Sequence, residues 1–247
     1  MACRPPSALP LPLLLCACVL HAAENGGSSG LAGDSLGVNM HKHGSPEQLA
    51  MVARAGISIV RTDISWAEMS PAGGYNFSST DVYVASLQAA GLRLLAIMDA
   101  TNAMFDGGHP VRSAAAIEAY GHWVGNFTAR YSAQTAAGMV LLEITNEPNG
   151  GGGYKHNATA YSLLVAAAAT AAHSAVPTAQ VVGPATECID LAWMTQVFEG
   201  GALQHFDQIT VHPYRPDAPE TALADLAAVH AVVAEFAPPG RVVPVQV

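Results

Sequence analysis

Proton transfer is the chemistry most legible in this chain, and Glu147 is the residue placed for it. Leu141, Leu142 and Ile144 form an apolar run into Thr145, Asn146 and Glu147, and Pro148, Asn149 and Gly150 then break it. In parallel α/β folds, catalytic groups collect at the C-terminal strand ends and the loops that follow them. Other polar groups sit at comparable ends. Arg61 and Asp63 close a second apolar run, with Trp66 just beyond; Asp99 and Asn102 follow a third; His41 and His43 follow the first; His212 and Tyr214 follow a later one. An arginine facing into such a mouth must be paired, because an isolated buried charge is costly. Asp63 and Glu68 are its candidate partners by proximity in sequence. His41 and His43 invite a metal reading, but no further ligand follows at metal-site spacing, which argues against zinc.

These residues need a scaffold, and the patterning supplies one. Strands are expected at 35–40, 57–62, 92–98, 139–145, 180–182, 208–211 and 242–247, with helices between them. Such alternation points to a parallel sheet. The first helix opens with Ser45, Pro46 and Gln48, a capping box with proline at the first helical position, and Gly56 closes it. A helix over 113–131 carries an apolar stripe of Ile117, Tyr120, Val124, Phe127 and Tyr131. The alanine run within 157–175 has high intrinsic helicity and is expected to pack closely on the sheet. The fold class expected is therefore α/β, a (β/α)8 TIM-type barrel that is incomplete, with about seven βα units and the eighth strand missing. An open doubly wound sheet is the alternative, but no glycine-rich phosphate loop follows the first strand.

Composition narrows the partners. The 247 residues are 51% hydrophobic and 12% charged, with a formal net charge of −9, which argues against nucleic acid because phosphate binding needs clustered Lys and Arg. Residues 1–23 read as a signal peptide: Arg4, an apolar stretch over 9–20, and small residues at Ala22 and Ala23. The stretch is shorter than the ~20 apolar residues that span a bilayer, so no membrane span is expected after its removal. A flexible linker over 24–34 and one barrel domain over 35–247 follow. Sequons at Asn76, Asn126 and Asn157 behind a leader predict a secreted, N-glycosylated protein. Cys3, Cys16 and Cys18 lie in the leader, so Cys188 is expected to stand alone as a buried apolar residue.

The Asn146–Glu147–Pro148 motif after a fourth strand resembles that of the retaining glycoside hydrolases of clan A. The segments around Val38–His41, Val60–Asp63 with Trp66, and Leu95–Asp99 are most similar to their families 39 and 5. The resemblance, which runs from about residue 36 to 247, implies a carbohydrate substrate, Glu147 as acid/base, and neither a metal nor an organic cofactor. Retention requires two carboxyl groups about 5–5.5 Å apart, and a neighbouring carboxylate would raise the acid's pKa. Asn146 would hold the sugar 2-hydroxyl, Arg61, His212 and Tyr214 would hold the nucleophile and sugar, and Trp66, Asp99 and His41 would line the sugar site. Trp66 reads equally well as a core aromatic. The nucleophile is expected as a glutamate ending the seventh strand, where this chain reaches Val247. Glu220 and Glu235 belong to the preceding helix. On this reading the chain by itself lacks hydrolase activity, and a non-catalytic carbohydrate-binding barrel is the alternative.

Overall fold

The computed structural model describes residues 36–70, 72 and 74–247, together with the backbone of Ala17–Val19. Most of the expected leader and all of the expected linker, 24–34, thus lie outside the described residues. Seven parallel strands pair strictly in chain order: β1 (Leu36–Asn39), β2 (Ile59–Ile64), β3 (Arg93–Met98), β4 (Val140–Ile144), β5 (Gln180–Glu187), β6 (Gln208–His212) and β7 (Val245–Gln246). They curl into a half-barrel with helices between them. A doubly wound sheet reverses its strand order at a switch point. The unbroken order here excludes that alternative. Ala17–Val19 pairs antiparallel with β1 along the sheet's first edge.

Side-chain alternation divides the interior into two layers. Ile59, Leu95, Leu141 and Val182 form a small cluster on the inner face of the curl. Val60, Leu94, Ala96, Leu142 and Val181 face the helices and join the main core. Arg61 and Glu143 lie two residues beyond Ile59 and Leu141, so both share the inner face. Only Asp63 of β2 is exposed, and β4 is buried throughout, as expected of strands covered on both sides.

The first helix, α1 (Pro46–Arg54), starts as its sequence dictates: Ser45 and Gln48 exchange both capping bonds, and Gly56 takes a left-handed φ of 80°. Helix α2 (Ala114–Arg130) packs on α3 (Ala158–Ala175) with little space between. A Cβ on Gly121 would come 3.2 Å from the Ala167 carbonyl oxygen, and one on Gly125 would lie 3.2 Å from the Ala171 Cβ. The alanine run therefore serves helix–helix contact as well as packing on the sheet. Asn157 caps α3 by accepting the Ala160 N–H at 3.0 Å. Replacing it with alanine is expected to cost about 1 kcal/mol, read as a lower urea midpoint with an unchanged slope.

Three expectations about the scaffold need correction. The fifth strand runs to Glu187, past Gly183 and Pro184, because a bulge between Pro184 and Thr186 absorbs the proline without a ladder bond. The seventh is only two residues long, beginning after Pro244. Cys188 is disulfide-bonded rather than alone; the expectation rested on discounting the three cysteines assigned to the leader. No helix among the described residues is long and apolar enough to cross a membrane.

Candidate active site

At the end of β4 the backbone leaves the sheet under strain. Thr145 and Glu147 adopt left-handed φ values of 53° and 45°, which cost a non-glycine residue of order 1–3 kcal/mol each. Neighbouring elements, a helix among them, hold them there. Tyr161 donates to the Ile144 carbonyl at 2.9 Å, Thr145 N–H to the Met98 carbonyl at 3.2 Å, and Glu147 N–H to the Ala185 carbonyl at 3.0 Å. The Glu147 carbonyl in turn accepts from Gly150 and Gly152. Gly152 has no room for a side chain: a Cβ would lie 2.5 Å from the Asn146 carbonyl oxygen.

The Glu147 carboxylate meets His212 from the end of β6, with Nδ1 2.8 Å from Oε1. An ionised carboxylate only accepts, so Nδ1 carries the proton and donates. This bond is the main reason that Glu147 titrates below its ordinary value; burial opposes it, and the charges on His212 and Arg61 add to it. The upward shift expected from the sequence depended on a neighbouring nucleophile carboxylate. The neighbour in the structure is an imidazole. Since the folded value lies below the ordinary 4.5, the ionised group stabilises the fold above that pH, and the contribution is lost as pH falls through the folded value. His212→Ala should move the Glu147 midpoint upward in a carboxylate NMR titration; identical midpoints in the two proteins would rule out this account.

Arg61 reaches neither Asp63 nor Glu68. Its Nε donates to Glu143 at 3.0 Å, Nη2 bonds the other Glu143 oxygen, and Nη2 also donates to Asn146 Oδ1 at 2.6 Å. Glu143 is 1% exposed. Strand alternation explains the partnership, since residues 61 and 143 share the inner face while Asp63 sits at the rim. The Asn146 carbonyl oxygen is thereby occupied, and its amide NH2 is left as the donor group.

Asn146, Asp99 and Asp63 line a cleft of about 220 Å³, together with Gly151 and Gly152. Burial raises the pKa of Asp99; Thr101, which donates to both its oxygens at 3.1 and 2.9 Å, works against the rise, and the Asp63 charge adds to it. Glu147 itself turns toward His212 rather than into this cleft. Tyr214 sets its ring edge to His212 with centroids 5.7 Å apart and is half exposed.

Other expected positions fall outside the site. Trp66 is 2% exposed and packs on Phe105, Tyr120 and Trp123; apolar burial places its indole in the aromatic core, not on a sugar face. The Asn102 side chain is buried, donating to the Ser70 carbonyl and accepting from Met104 N–H. The side chain of His41 is 84% exposed at the rim, 4.0 Å from Asp63. Among the described residues, no group of three or more His, Cys, Asp or Glu could hold a metal. Sequence reasoning missed Glu143 as the partner of Arg61, although a charge inside an apolar strand demands one. It also missed Asn149, which reads as an ordinary turn residue.

No family model matches the chain, and no curated protein matches it in sequence. Solved structures do match. A family 39 glycoside hydrolase from Bacteroides cellulosilyticus is 20% identical with a TM-score of 0.62, over 74% of this chain and 39% of that one. A family 39 β-xylosidase from Caulobacter crescentus is 19% identical, TM-score 0.64, over 85% and 52%. A family 39 enzyme from Xanthomonas axonopodis pv. citri is 17% identical, TM-score 0.65, over 85% and 49%. The chain spans about half or less of the length of these structures. At such identities the likeness is one of fold: this chain carries the barrel architecture common to these glycoside hydrolases.

Proposed function

We propose that the chain carries the acid/base half of a retaining glycoside hydrolase site, acting on the O-glycosidic bonds of a polysaccharide or glycoconjugate. The observation that carries this reading is a strained glutamate at the end of the fourth parallel strand, held at 2.8 Å by a histidine from the sixth, beside an asparagine that lines a polar cleft. In the first step a second carboxylate attacks the anomeric carbon and Glu147 protonates the departing oxygen. In the second, Glu147 takes a proton from the water that displaces the enzyme. The His212 bond favours the ionised form, which the second step uses. The charge of a nucleophile at about 5 Å would supply the upward pull that the first step requires.

A leader-directed, secreted and N-glycosylated form belongs to the same proposal. Asn76 and Asn126 are exposed and Asn157 is half-buried at a helix cap, positions that a glycosyltransferase could reach. The second reading, a barrel that binds carbohydrate without cleaving it, is favoured by the downward shift of Glu147. The test is hydrolysis of phenyl glycosides by the 247-residue chain and by its Glu147→Gln variant, with and without azide as an external nucleophile. Saccharide binding is followed calorimetrically in parallel. Binding without azide-supported cleavage selects the second reading, and absence of binding defeats both.

A further inference from the structure

Two strained segments lie side by side at the mouth of the half-barrel. Thr145 and Glu147 on one, and Ala185 and Cys188 on the other, all hold left-handed backbone without being glycine. Such strain persists only where the surroundings over-determine it. One backbone bond joins the segments, from Glu147 N–H to the Ala185 carbonyl at 3.0 Å. Beyond it, a side chain takes over the role of a strand. Asn149 Nδ2 donates to the Glu187 carbonyl at 2.9 Å, and Glu187 N–H donates to Asn149 Oδ1 at 2.7 Å. The amide imitates a peptide group and extends the β4–β5 ladder by one rung. It is 6% exposed, so water does not compete for either bond.

On the opposite edge of the same residue, Glu187 pairs in register with His212. The Glu187 backbone is therefore the common reference for the two partners of the Glu147–His212 hydrogen bond. Asn149 ties the glutamate's loop to one edge of it, and β6 presents the histidine from the other. The docking is close: a Cβ on Gly150 would come 1.9 Å from Glu187 Oε2. Asn149 Nδ2 also lies 3.5 Å from Asp190, whose other oxygen accepts the Trp193 N–H at the start of the next helix, Leu191–Glu199.

We infer that Asn149 is a positioning residue for Glu147, its amide fixing the strained loop on the Glu187 backbone so that the carboxylate stays on His212. This rests on the proposed function in treating Glu147 as the acid/base. The test is a carboxylate NMR titration of the 247-residue chain. In Asn149→Ala the Glu147 midpoint should rise toward the ordinary glutamate value, because the His212 bond loosens. Ser45→Ala, a cap loss on the loop after β1, should lower stability and leave the midpoint where it is. Asn149→Ser, which keeps a hydroxyl for one of the two bonds, should give a smaller rise in the same direction, and it serves if the alanine variant does not fold. A folded Asn149 variant in which Glu147 titrates as in the wild type overturns the inference. Failure of the chain to bind saccharide would defeat the proposed function and leave this titration unchanged, so the two failures are distinguishable.

Discussion

Arg61→Met should lower the free energy of unfolding by about 3–5 kcal/mol. Arg61 is 8% exposed, and Glu143, its bidentate partner, lies on the inner face of the half-barrel. Removing the guanidinium leaves a carboxylate in a low-dielectric interior without its compensating charge. The attraction inside the pair is large, but so is the cost of taking both ions out of water. For that reason Arg61→Met combined with Glu143→Leu should recover most or all of the loss. Urea denaturation of the two single variants and the double variant closes the cycle. A single variant that loses less than about 1 kcal/mol would show that water reaches the pair. The loss should also reach the site, since Asn146 gives up the donor that orients its amide.

Glu147→Gln should lower the azide-supported cleavage of phenyl glycosides by about 10²–10⁴-fold, the usual contribution of general acid/base catalysis. Phenol is a poor leaving group, so its departure needs a proton. Azide, where it supports cleavage, attacks the anomeric carbon and yields a glycosyl azide, but it cannot protonate the phenol oxygen. The amide keeps the size of the side chain and loses the transferable proton, so saccharide affinity should stay nearly constant while the rate falls. This split separates a proton donor from a residue that merely binds. Equal rates in wild type and variant, at equal binding, would remove Glu147 from the chemistry.

The parts of the site differ in how legible they were. Glu147 was visible because an apolar run ending in a carboxylate and a Pro–Asn–Gly break is a local pattern. Its alignment with His212 followed from counting strands, since a parallel sheet brings all its C-terminal ends to one face. Glu143 could have been assigned by carrying the period of two along β2 and β4 together. Trp66 could not have been assigned, because an indole two residues past a strand end serves a sugar face and an aromatic core equally well. The downward shift that His212 gives Glu147 was not legible for a related reason: the identity of the nearest neighbour depends on packing between loops.

Amino-acid order alone determined the alternation of strands and helices, the capping box at Ser45, the class of fold and the glutamate at the fourth strand end. All of these rest on periodicity, turn chemistry and caps that act over a few residues. Tertiary structure decided the partner of Arg61, the burial of Trp66, the passage of β5 through Gly183 and Pro184, and the clamp from Asn149 to Glu187. Those features join residues far apart in the chain, and their energies come from desolvation and close contact, which exist only once the sheet has curled and its strand ends have met.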